Sequence, residues 1–222
     1  MSRPELHVIT DTALRPGRTH AEIARAAFAG GADVVQLRDK RATAAELVTL
    51  ARELVAIARD AGRELVVNDH LPVALAAGAH GLHLGPQDLP PDVARRSGRR
   101  PRRLGGSART IERARELWLA GCDYLGVGPV YGTATKAGLP PAIGLGRIEE
   151  IAASVPLPVF GIGGIDASNA AGVIRAGAAG IAVVSCVAGA EDPEAVTRAL
   201  RTVIDRAWSE AGRALADRPN AP

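Results

Sequence analysis

The stretch Gly31-Ala32-Asp33-Val34-Val35-Gln36-Leu37 joins the end of an alanine-rich segment to a short apolar run. The same pattern returns at residues 78–84, 121–127 and 177–183, with starts 47, 43 and 56 residues apart. A glycine can take the left-handed conformation that closes a helix, and the apolar residues after it are typical of a buried strand. Each repeat therefore predicts a helix followed by a strand.

Four more candidate strands alternate with these repeats, at 6–10, 64–68, 103–107 and 158–162. Helical stretches such as 44–61 and 168–176 follow nearly all strands. Strict alternation of strands and helices is compatible with two folds, an open doubly wound sheet and a closed barrel. An open sheet needs a phosphate-binding glycine turn after its first strand, where Thr10-Asp11-Thr12 stands instead. We predict an α/β fold, a single (β/α)8 TIM barrel over residues 1–210, with a polar tail over 211–222 that is expected to be disordered.

Composition indicates one soluble globular domain. The chain has 222 residues, of which 47% are hydrophobic and 23% charged, and this excludes a disordered or collagen-like chain. No apolar run approaches the ~20 residues that a membrane span needs, and the start lacks a signal-peptide pattern, so a cytoplasmic protein without membrane contact is expected. Cys122 and Cys186 have no disulfide or zinc spacing and are interpreted as small core residues.

The basic residues are nearly all arginine, and the net charge is +3. The densest basic stretch, 95–103, could hold nucleic acid through phosphate contacts, but no aromatic residue is interleaved, so we interpret it as a solvated connection. Lys40 and Lys136 are the two lysines of the chain, and both lie in loops after predicted strands. A compact, movable ammonium over a transferring phosphate explains this placement.

The second predicted strand ends in Gln36-Leu37-Arg38-Asp39-Lys40. In an extended chain Gln36, Arg38 and Lys40 share one face, so an amide and two cations point to the same place. A guanidinium fork beside an ammonium suits a diphosphate. The alternative is that these cations form salt bridges with helix carboxylates.

Two carboxylates end neighbouring strands. Asp69 follows the third strand and Asp88 lies just beyond the fourth. Next to a diphosphate they suit Mg²⁺, which keeps several waters and shares phosphate oxygens. Either aspartate could instead cap the following helix. His83 is interpreted as a packed barrel residue because it lies inside the fourth strand.

Loops after the fifth to eighth strands supply hydroxyls and glycine amides. The loop after the sixth strand contains Thr133, Thr135 and Lys136, and Ser107 ends the fifth strand. Gly161-Ile162-Gly163-Gly164-Ile165 and Val183-Val184-Ser185 stand at the seventh and eighth strands, whose loops form the usual phosphate site of such barrels. The sequence thus predicts two anion sites in one cavity, suited to joining or exchanging two phosphorylated small molecules.

Taken together, these segments resemble the thiamine phosphate synthase family, also called thiamine-phosphate pyrophosphorylase. The likeness spans residues 6–205, and its motifs are Gln-Leu-Arg-Asp-Lys at 36–40, Val-Asn-Asp at 67–69, His-Leu-Gly-x-x-Asp at 83–88, Gly-Val-Gly-Pro-Val-Tyr-x-Thr-x-Thr-Lys at 126–136, Gly-Ile-Gly-Gly-Ile at 161–165 and Val-Val-Ser at 183–185.

The resemblance implies that 4-amino-2-methyl-5-hydroxymethylpyrimidine diphosphate and a thiazole phosphate, or its carboxylated form, combine into thiamine phosphate with release of pyrophosphate. It implies that Asp69 and Asp88 hold Mg²⁺, and that the pyrimidine diphosphate is held by Gln36, Arg38, Lys40, Asn68 and Lys136. The remaining substrate contacts would come from Ser107, Thr133, Thr135, Gly164, Val184 and Ser185. Arg38, Lys40 and Lys136 would neutralise the departing pyrophosphate in a dissociative displacement that needs no protein nucleophile.

The chain departs from the family pattern at three places. Asp39 stands where the family usually has glutamate, Pro86-Gln87 replaces the common Gln-Glu, and Arg109 replaces a usual histidine. None of these removes an implied ligand, but the last two are expected to alter substrate affinity.

Other functions are weighed against this one. A related thiazole tautomerase shares the barrel but characteristically has a histidine near position 109 and lacks the full diphosphate and metal set. A non-catalytic phosphate binder or a nucleic-acid binder using residues 95–103 is the alternative from a different class. Nucleic acid is not expected as a partner, whereas a homo-oligomer is left open.

Overall fold

The computed structural model describes residues 3–97, 101–132 and 141–216. Eight parallel strands pair in chain order, and the eighth pairs with the first, which closes the barrel. The strands are β1 Glu5–Ile9, β2 Val34–Leu37, β3 Glu64–Asn68, β4 Gly81–Leu84, β5 Arg103–Ala108, β6 Tyr124–Val127, β7 Val159–Ile162 and β8 Gly180–Val183. The predicted (β/α)8 barrel is confirmed.

Helices surround the barrel, and a short 3-10 turn, Thr12–Leu14, follows β1. The helices are α1 His20–Ala29, α2 Ala44–Asp60, α3 Leu71–Ala77, α4 Pro91–Arg96, α5 Ile111–Leu119, α6 Gly144–Ser154, α7 Ala170–Arg175, α8 Ser185–Ala188 and α9 Pro193–Ala216. Thr19 and Thr43 start α1 and α2 with capping boxes, in which the threonine and a glutamate three residues later satisfy each other's backbone N–H groups.

Strand residues alternate between two environments. Leu6, Val35 and Leu65 face outward and are completely buried beneath the helices. The side chains between them face the barrel interior, where the layer near the strand starts is filled. Arg103 donates to Glu5 at 2.6 Å and to Glu64 at 3.1 Å, and its guanidinium lies 4.8 Å from the ring centre of Tyr124. Because this end of the interior is filled, the cavity described below lies at the carboxyl ends of the strands.

The last helix runs past the predicted domain boundary. The polar tail was predicted from residue 211, but α9 continues to Ala216, so residues 211–216 are helical. The physical reason is that Ala, Arg and Leu are strong helix formers and extend a helix whose earlier turns pack on the barrel. Residues 217–222 lie outside the described ranges.

The two cysteines differ slightly from expectation. Cys122 is buried just before β6, as predicted, whereas Cys186 lies in the short helix α8 and is half-buried. Burial raises the pKa of both thiols to about 11, so both are protonated at neutral pH and poor nucleophiles. None of the described helices is both long and apolar enough to cross a bilayer.

Candidate active site

A cavity of about 770 Å³ opens at the carboxyl ends of the strands. It brings together most side chains that the sequence singled out, although they come from six strands or the loops after them. Those that line it are Gln36, Arg38, Lys40, Asn68, Asp69, Asp88, Ser107, Gly164, Val184 and Ser185. Thr133, Thr135 and Lys136 lie outside the described residues.

The two described cations from the β2 end are both paired with carboxylates. Arg38 Nη1 lies 2.8 Å from Asp11 Oδ2, and Lys40 Nζ contacts Asp69 Oδ2. Salt bridges were the predicted alternative, but these partners stand in loops after β1 and β3 rather than on helices. The cations therefore remain at the cavity mouth, next to their acids, where they can exchange a carboxylate for a phosphate.

A buried network beneath these cations was missed by the sequence interpretation. His20 Nδ1 lies 2.7 Å from Thr10 Oγ1, and His20 Nε2 lies 3.1 Å from Asp39 Oδ2. Thr10 Oγ1 also accepts a hydrogen bond from the Arg38 backbone N–H at 3.3 Å. The network thus ties the end of β1, the start of α1 and the loop after β2 into one unit that fixes the loop carrying Arg38 and Lys40. No local motif marks it, because its members come from three separate elements.

Asp69 and Asp88 lie together at the mouth, and neither caps a helix. The N-cap positions of α3 and α4 are His70 and Pro90, and neither makes a side-chain cap hydrogen bond. Asp88 instead accepts a hydrogen bond from the Gly85 N–H at 2.6 Å. Asp69 has φ = 66°, the left-handed region, which costs energy for a residue with a side chain and is often found at functional sites. The capping alternative is therefore wrong for both residues.

The two carboxyls lie close enough to shift each other's pKa. Burial and the hydrogen bond to Asp69 raise the pKa of Asp88. Burial acts to raise the pKa of Asp69, but the hydrogen bond from Asp88 and the Lys40 ammonium outweigh it and lower that pKa. Two acidic groups this close disfavour double ionisation unless a cation joins them. In the described part of the chain no cluster of three or more His, Cys, Asp and Glu side chains is placed to hold a metal.

His83 projects from β4 into the interior and forms part of the cavity wall, so it is more than the packed residue that was predicted. Its Nε2 lies 2.9 Å from Ser107 Oγ and its Nδ1 lies 3.2 Å from the Tyr124 hydroxyl. Burial lowers the pKa of His83 to about 4, so the ring is neutral at physiological pH. A neutral imidazole held at both nitrogens fixes the Ser107 hydroxyl at the bottom of the cavity.

This burial predicts a pH dependence of stability. The pKa of His83 is about 4 in the folded protein and 6.5 in its ordinary environment, so between these values the unfolded chain binds more protons. Stability should therefore fall as the pH falls from 6.5 toward 4. The measurement is the free energy of unfolding in urea at neutral pH and at about pH 5, for the protein and for His83→Asn.

The free energy of unfolding of His83→Asn should fall less between the two pH values, because this variant lacks the titrating ring. The buried His7, whose pKa burial also lowers, contributes to the same window and is present in both proteins, so their difference isolates His83. Equal pH slopes in the two proteins would contradict the assignment.

The opposite side of the mouth is built from backbone. Gly164 has φ = +66°, and a Cβ there would lie 2.5 Å from the Gly132 carbonyl oxygen, so no larger residue fits. Asn169 Nδ2 donates to the Gly164 carbonyl at 2.9 Å and fixes that peptide. Ser185 lies exposed at the start of α8 after β8. This side offers amides and a hydroxyl to an anion, as the sequence predicted for the loops after β7 and β8.

The basic stretch at 95–103 does not form an open cationic surface where it is described. Arg95 pairs with Asp123, Arg96 pairs with Asp92, and Arg103 lies inside the barrel between its two glutamates. Arg99 and Arg100 lie outside the described ranges. Three of the described arginines of this stretch, Arg95, Arg96 and Arg103, are therefore engaged within the protein, whereas Arg102 is exposed.

A closed parallel barrel with side-chain cations and carboxylates on one side of its mouth and glycine amides on the other defines a (β/α)8-barrel enzyme with an anion-binding site. Comparison with known proteins gives the family. The sequence profile of TMP-TENI, described as thiamine monophosphate synthase, matches residues 6–187. The chain belongs to this family, and it is a transferase.

Individual relatives agree. Thiamine-phosphate synthase from Roseiflexus sp. (strain RS-1) is 49% identical over 209 residues, which cover 94% of this chain and 89% of that protein. The Moorella thermoacetica thiamine-phosphate synthase is 47% identical over 207 residues, or 93% and 99% of the two chains. The solved structure of thiamine phosphate pyrophosphorylase from Pyrococcus furiosus has a TM-score of 0.84 at 38% identity and covers 91% of this chain and 96% of that one. The predicted family is confirmed, and these relatives support neither the tautomerase nor the nucleic-acid-binding alternative.

Proposed function

We propose that the protein joins 4-amino-2-methyl-5-hydroxymethylpyrimidine diphosphate to 4-methyl-5-(2-phosphoethyl)thiazole, or its carboxylated form, giving thiamine phosphate and pyrophosphate. The observation that carries this proposal is the convergence of Arg38, Lys40, Asp69 and Asp88 on one side of the cavity mouth. In the strand order, β6 and β1 stand between this charged side and the glycine side. The mouth therefore has one place for a diphosphate and another for a monophosphate. The family membership gives the two substrates their identity.

The chemistry we propose is a dissociative displacement. The bond between the pyrimidine methylene carbon and the diphosphate oxygen breaks with both electrons on oxygen, and the aminopyrimidine ring stabilises the cation left on carbon. The thiazole nitrogen then donates its lone pair to that carbon. The protein needs no nucleophile, which agrees with the two protonated thiols and the neutral His83.

We assign the residues of the cavity to different roles in this reaction. Arg38 and Lys40 would neutralise the departing pyrophosphate, and we assign the same role to Lys136 from its sequence position. Gln36 and Asn68 would help to hold the pyrimidine diphosphate. The pyrimidine or the thiazole phosphate would be surrounded by Ser107, Thr133, Thr135, Gly164, Val184 and Ser185. Holding both substrates in line supplies much of the rate, because positioning replaces a bimolecular encounter.

We propose Mg²⁺ as the cofactor, held by Asp69 and Asp88. Their close contact and the raised pKa of Asp88 fit a site that gains from a divalent ion. Two carboxylates match the preference of Mg²⁺ for few protein ligands and shared phosphate oxygens. The ion would supply positive charge to the leaving pyrophosphate.

Asp69→Asn should raise the Mg²⁺ concentration for half-maximal activity by about 10-fold or more, because it removes one charged ligand. Asp88→Asn should do the same, although Lys40 pairs with Asp69 and not with Asp88. The measurement is a Mg²⁺ titration of initial rate. Asp60→Asn, at the exposed end of α2, is the matched control and should leave the titration unchanged. Unaltered titrations in both site variants would rule out this metal site.

The deciding experiment for the whole function mixes purified protein, Mg²⁺ and the two substrates, and detects thiamine phosphate and pyrophosphate by mass spectrometry. Formation of both products supports the proposal, and their absence with folded protein overturns it. We also propose a cytoplasmic location.

A further inference from the structure

A second pair of cations lines the cavity and has no role so far. Arg109 follows β5 and Arg113 lies in the first turn of α5, and both form part of the cavity wall. Arg109 stands where the family usually has a histidine, so the family pattern gives no role to an arginine at this position. Its position and its unsatisfied hydrogen-bonding capacity suggest a binding role.

The guanidinium of Arg109 is only partly used. Its Nη2 donates to the Pro141 carbonyl at 2.7 Å, which leaves its charge without an acid. No ion pair within the described ranges includes it, whereas Arg38 and Lys40 each have an aspartate. The segment 133–140, which is not described, contains no Asp or Glu. Among the described residues, Arg109 is thus the cavity-lining cation that an incoming anion could pair with without displacing a carboxylate.

Both arginines also have a buried donor without a partner. The Nε atoms of Arg109 and Arg113 are shielded from solvent and make no hydrogen bond in the described part of the chain. Buried guanidinium N–H groups are nearly always paired, and their preferred partners are carboxylate and phosphate oxygens. Two arginines that both line the cavity and both keep an unpaired donor point to an oxyanion as their ligand.

The order of the strands indicates which anion this is. Arg38 and Lys40 follow β2, Asp69 follows β3 and Asp88 follows β4, and Arg109 follows the neighbouring β5. The charged groups therefore form one continuous arc around the mouth. Gly164 and Ser185 follow β7 and β8, which are separated from that arc by β6 on one side and by β1 on the other. Arg109 thus continues the diphosphate side of the cavity.

We propose that Arg109, with Arg113 beside it, binds the diphosphate group of the pyrimidine substrate and the pyrophosphate released from it. The proposal rests on the proposed function for the identity of that substrate. The oxyanion chemistry itself could also come from the phosphate or the carboxylate of the thiazole substrate, so the test separates these sources.

The test is a calorimetric titration of the protein with inorganic pyrophosphate in the presence of Mg²⁺, together with the KM of each substrate. Arg109→Gln should weaken pyrophosphate binding by about 10-fold or more, which is the effect of losing one charge-assisted contact. The KM for the pyrimidine diphosphate should rise by a similar factor, and the KM for the thiazole phosphate, with or without the carboxylate, should not change. Arg113→Gln should show a smaller effect in the same direction, because Arg113 already pairs with Glu116.

Controls keep the result interpretable. Arg115→Gln removes the same charge from an exposed position on α5 and should leave pyrophosphate binding and both KM values unchanged. Arg109→Lys keeps the charge but loses the planar fork, so its affinity for pyrophosphate should lie between those of the unmodified protein and Arg109→Gln. If Arg109→Gln does not fold, Arg109→Lys is measured in its place.

Unchanged pyrophosphate binding in a folded Arg109 variant overturns the proposal. A rise confined to the KM for the thiazole phosphate also overturns it, because it assigns Arg109 to the other substrate. Since pyrophosphate binding needs no turnover, a protein that binds pyrophosphate through Arg109 but makes no thiamine phosphate would refute the proposed function and leave the anion site standing.

Discussion

Arg38→Ala should lower kcat for thiamine phosphate formation by about 10³-fold, the effect of removing a guanidinium from a departing phosphate group. Arg38 lies at the cavity mouth with its charge 2.8 Å from Asp11, on a loop whose backbone is fixed by Thr10. Losing it leaves Asp11 unpaired and takes one positive charge away from the place where negative charge develops. Steady-state kinetics at saturating substrates measures the change.

Arg41→Ala is the matched control for this variant. Arg41 stands on the same loop, is exposed and does not line the cavity, and its guanidinium contacts Thr12 Oγ1 at 3.1 Å. Its removal should leave kcat within about twofold, while thermal melting of both variants confirms that they fold. A normal kcat in folded Arg38→Ala would contradict the role given to Arg38 and would weaken the proposed diphosphate site as a whole.

Arg201→Ala should destabilise the protein by about 3 kcal/mol, the low end for breaking a buried ion pair. Arg201 is 8% exposed and ties α9 to the start of the barrel: it donates to Asp33 Oδ2 at 2.9 Å, to the Pro4 carbonyl at 2.8 Å and to Asp205. Arg3 and Arg63 also contact Asp33, so the Asp33 carboxylate keeps two cationic partners when Arg201 is removed. The loss of unfolding free energy therefore stays at the low end of the range. Urea unfolding followed by circular dichroism measures it.

Arg198→Ala, one turn earlier on α9, provides the comparison. Arg198 is exposed and pairs with Glu194 on the same helix, and such surface pairs contribute at most about 0.5 kcal/mol. Its removal should therefore move the unfolding midpoint very little. Equal destabilisation by the two variants would contradict the role of Arg201 in joining α9 to the barrel, because Ala is a better helix former than Arg and helix propensity predicts no loss at either position. The kcat of Arg201→Ala below its melting temperature should be close to normal, since Arg201 does not line the cavity.

Much of the barrel could be predicted because its signals are local. A glycine after an alanine-rich helix and before an apolar run is visible within a few residues and occurs four times. Eight alternating strands and helices then leave few ways to fold. The predicted strand 64–68 matches β3, and the predicted helix 44–61 differs from α2 by one residue. The start of the polar tail was predicted at residue 211, but the last helix continues to Ala216. A polar composition resembles a tail unless the helix is known to continue from a packed turn.

The candidate site was predicted in part for the same reason. Alternation along a strand fixes which side chains share a face, so Gln36, Arg38 and Lys40 could be assigned to the cavity from their spacing. The role of His83 was underestimated, because its burial and its two hydrogen bonds depend on Ser107 and Tyr124, which follow 24 and 41 residues later.

By itself, the sequence determined the number and order of the strands and the set of polar residues at their carboxyl ends, because helix and strand periods are written in neighbouring residues. The tertiary structure alone decided the partners: Arg38 with Asp11, Lys40 with Asp69, Asp69 with Asp88, His20 with Thr10 and Asp39, and Arg201 with Asp33, 168 positions away. The physical reason is that closure of the barrel brings distant strand ends within hydrogen-bond distance, and no local pattern specifies which of several aspartates each cation will meet.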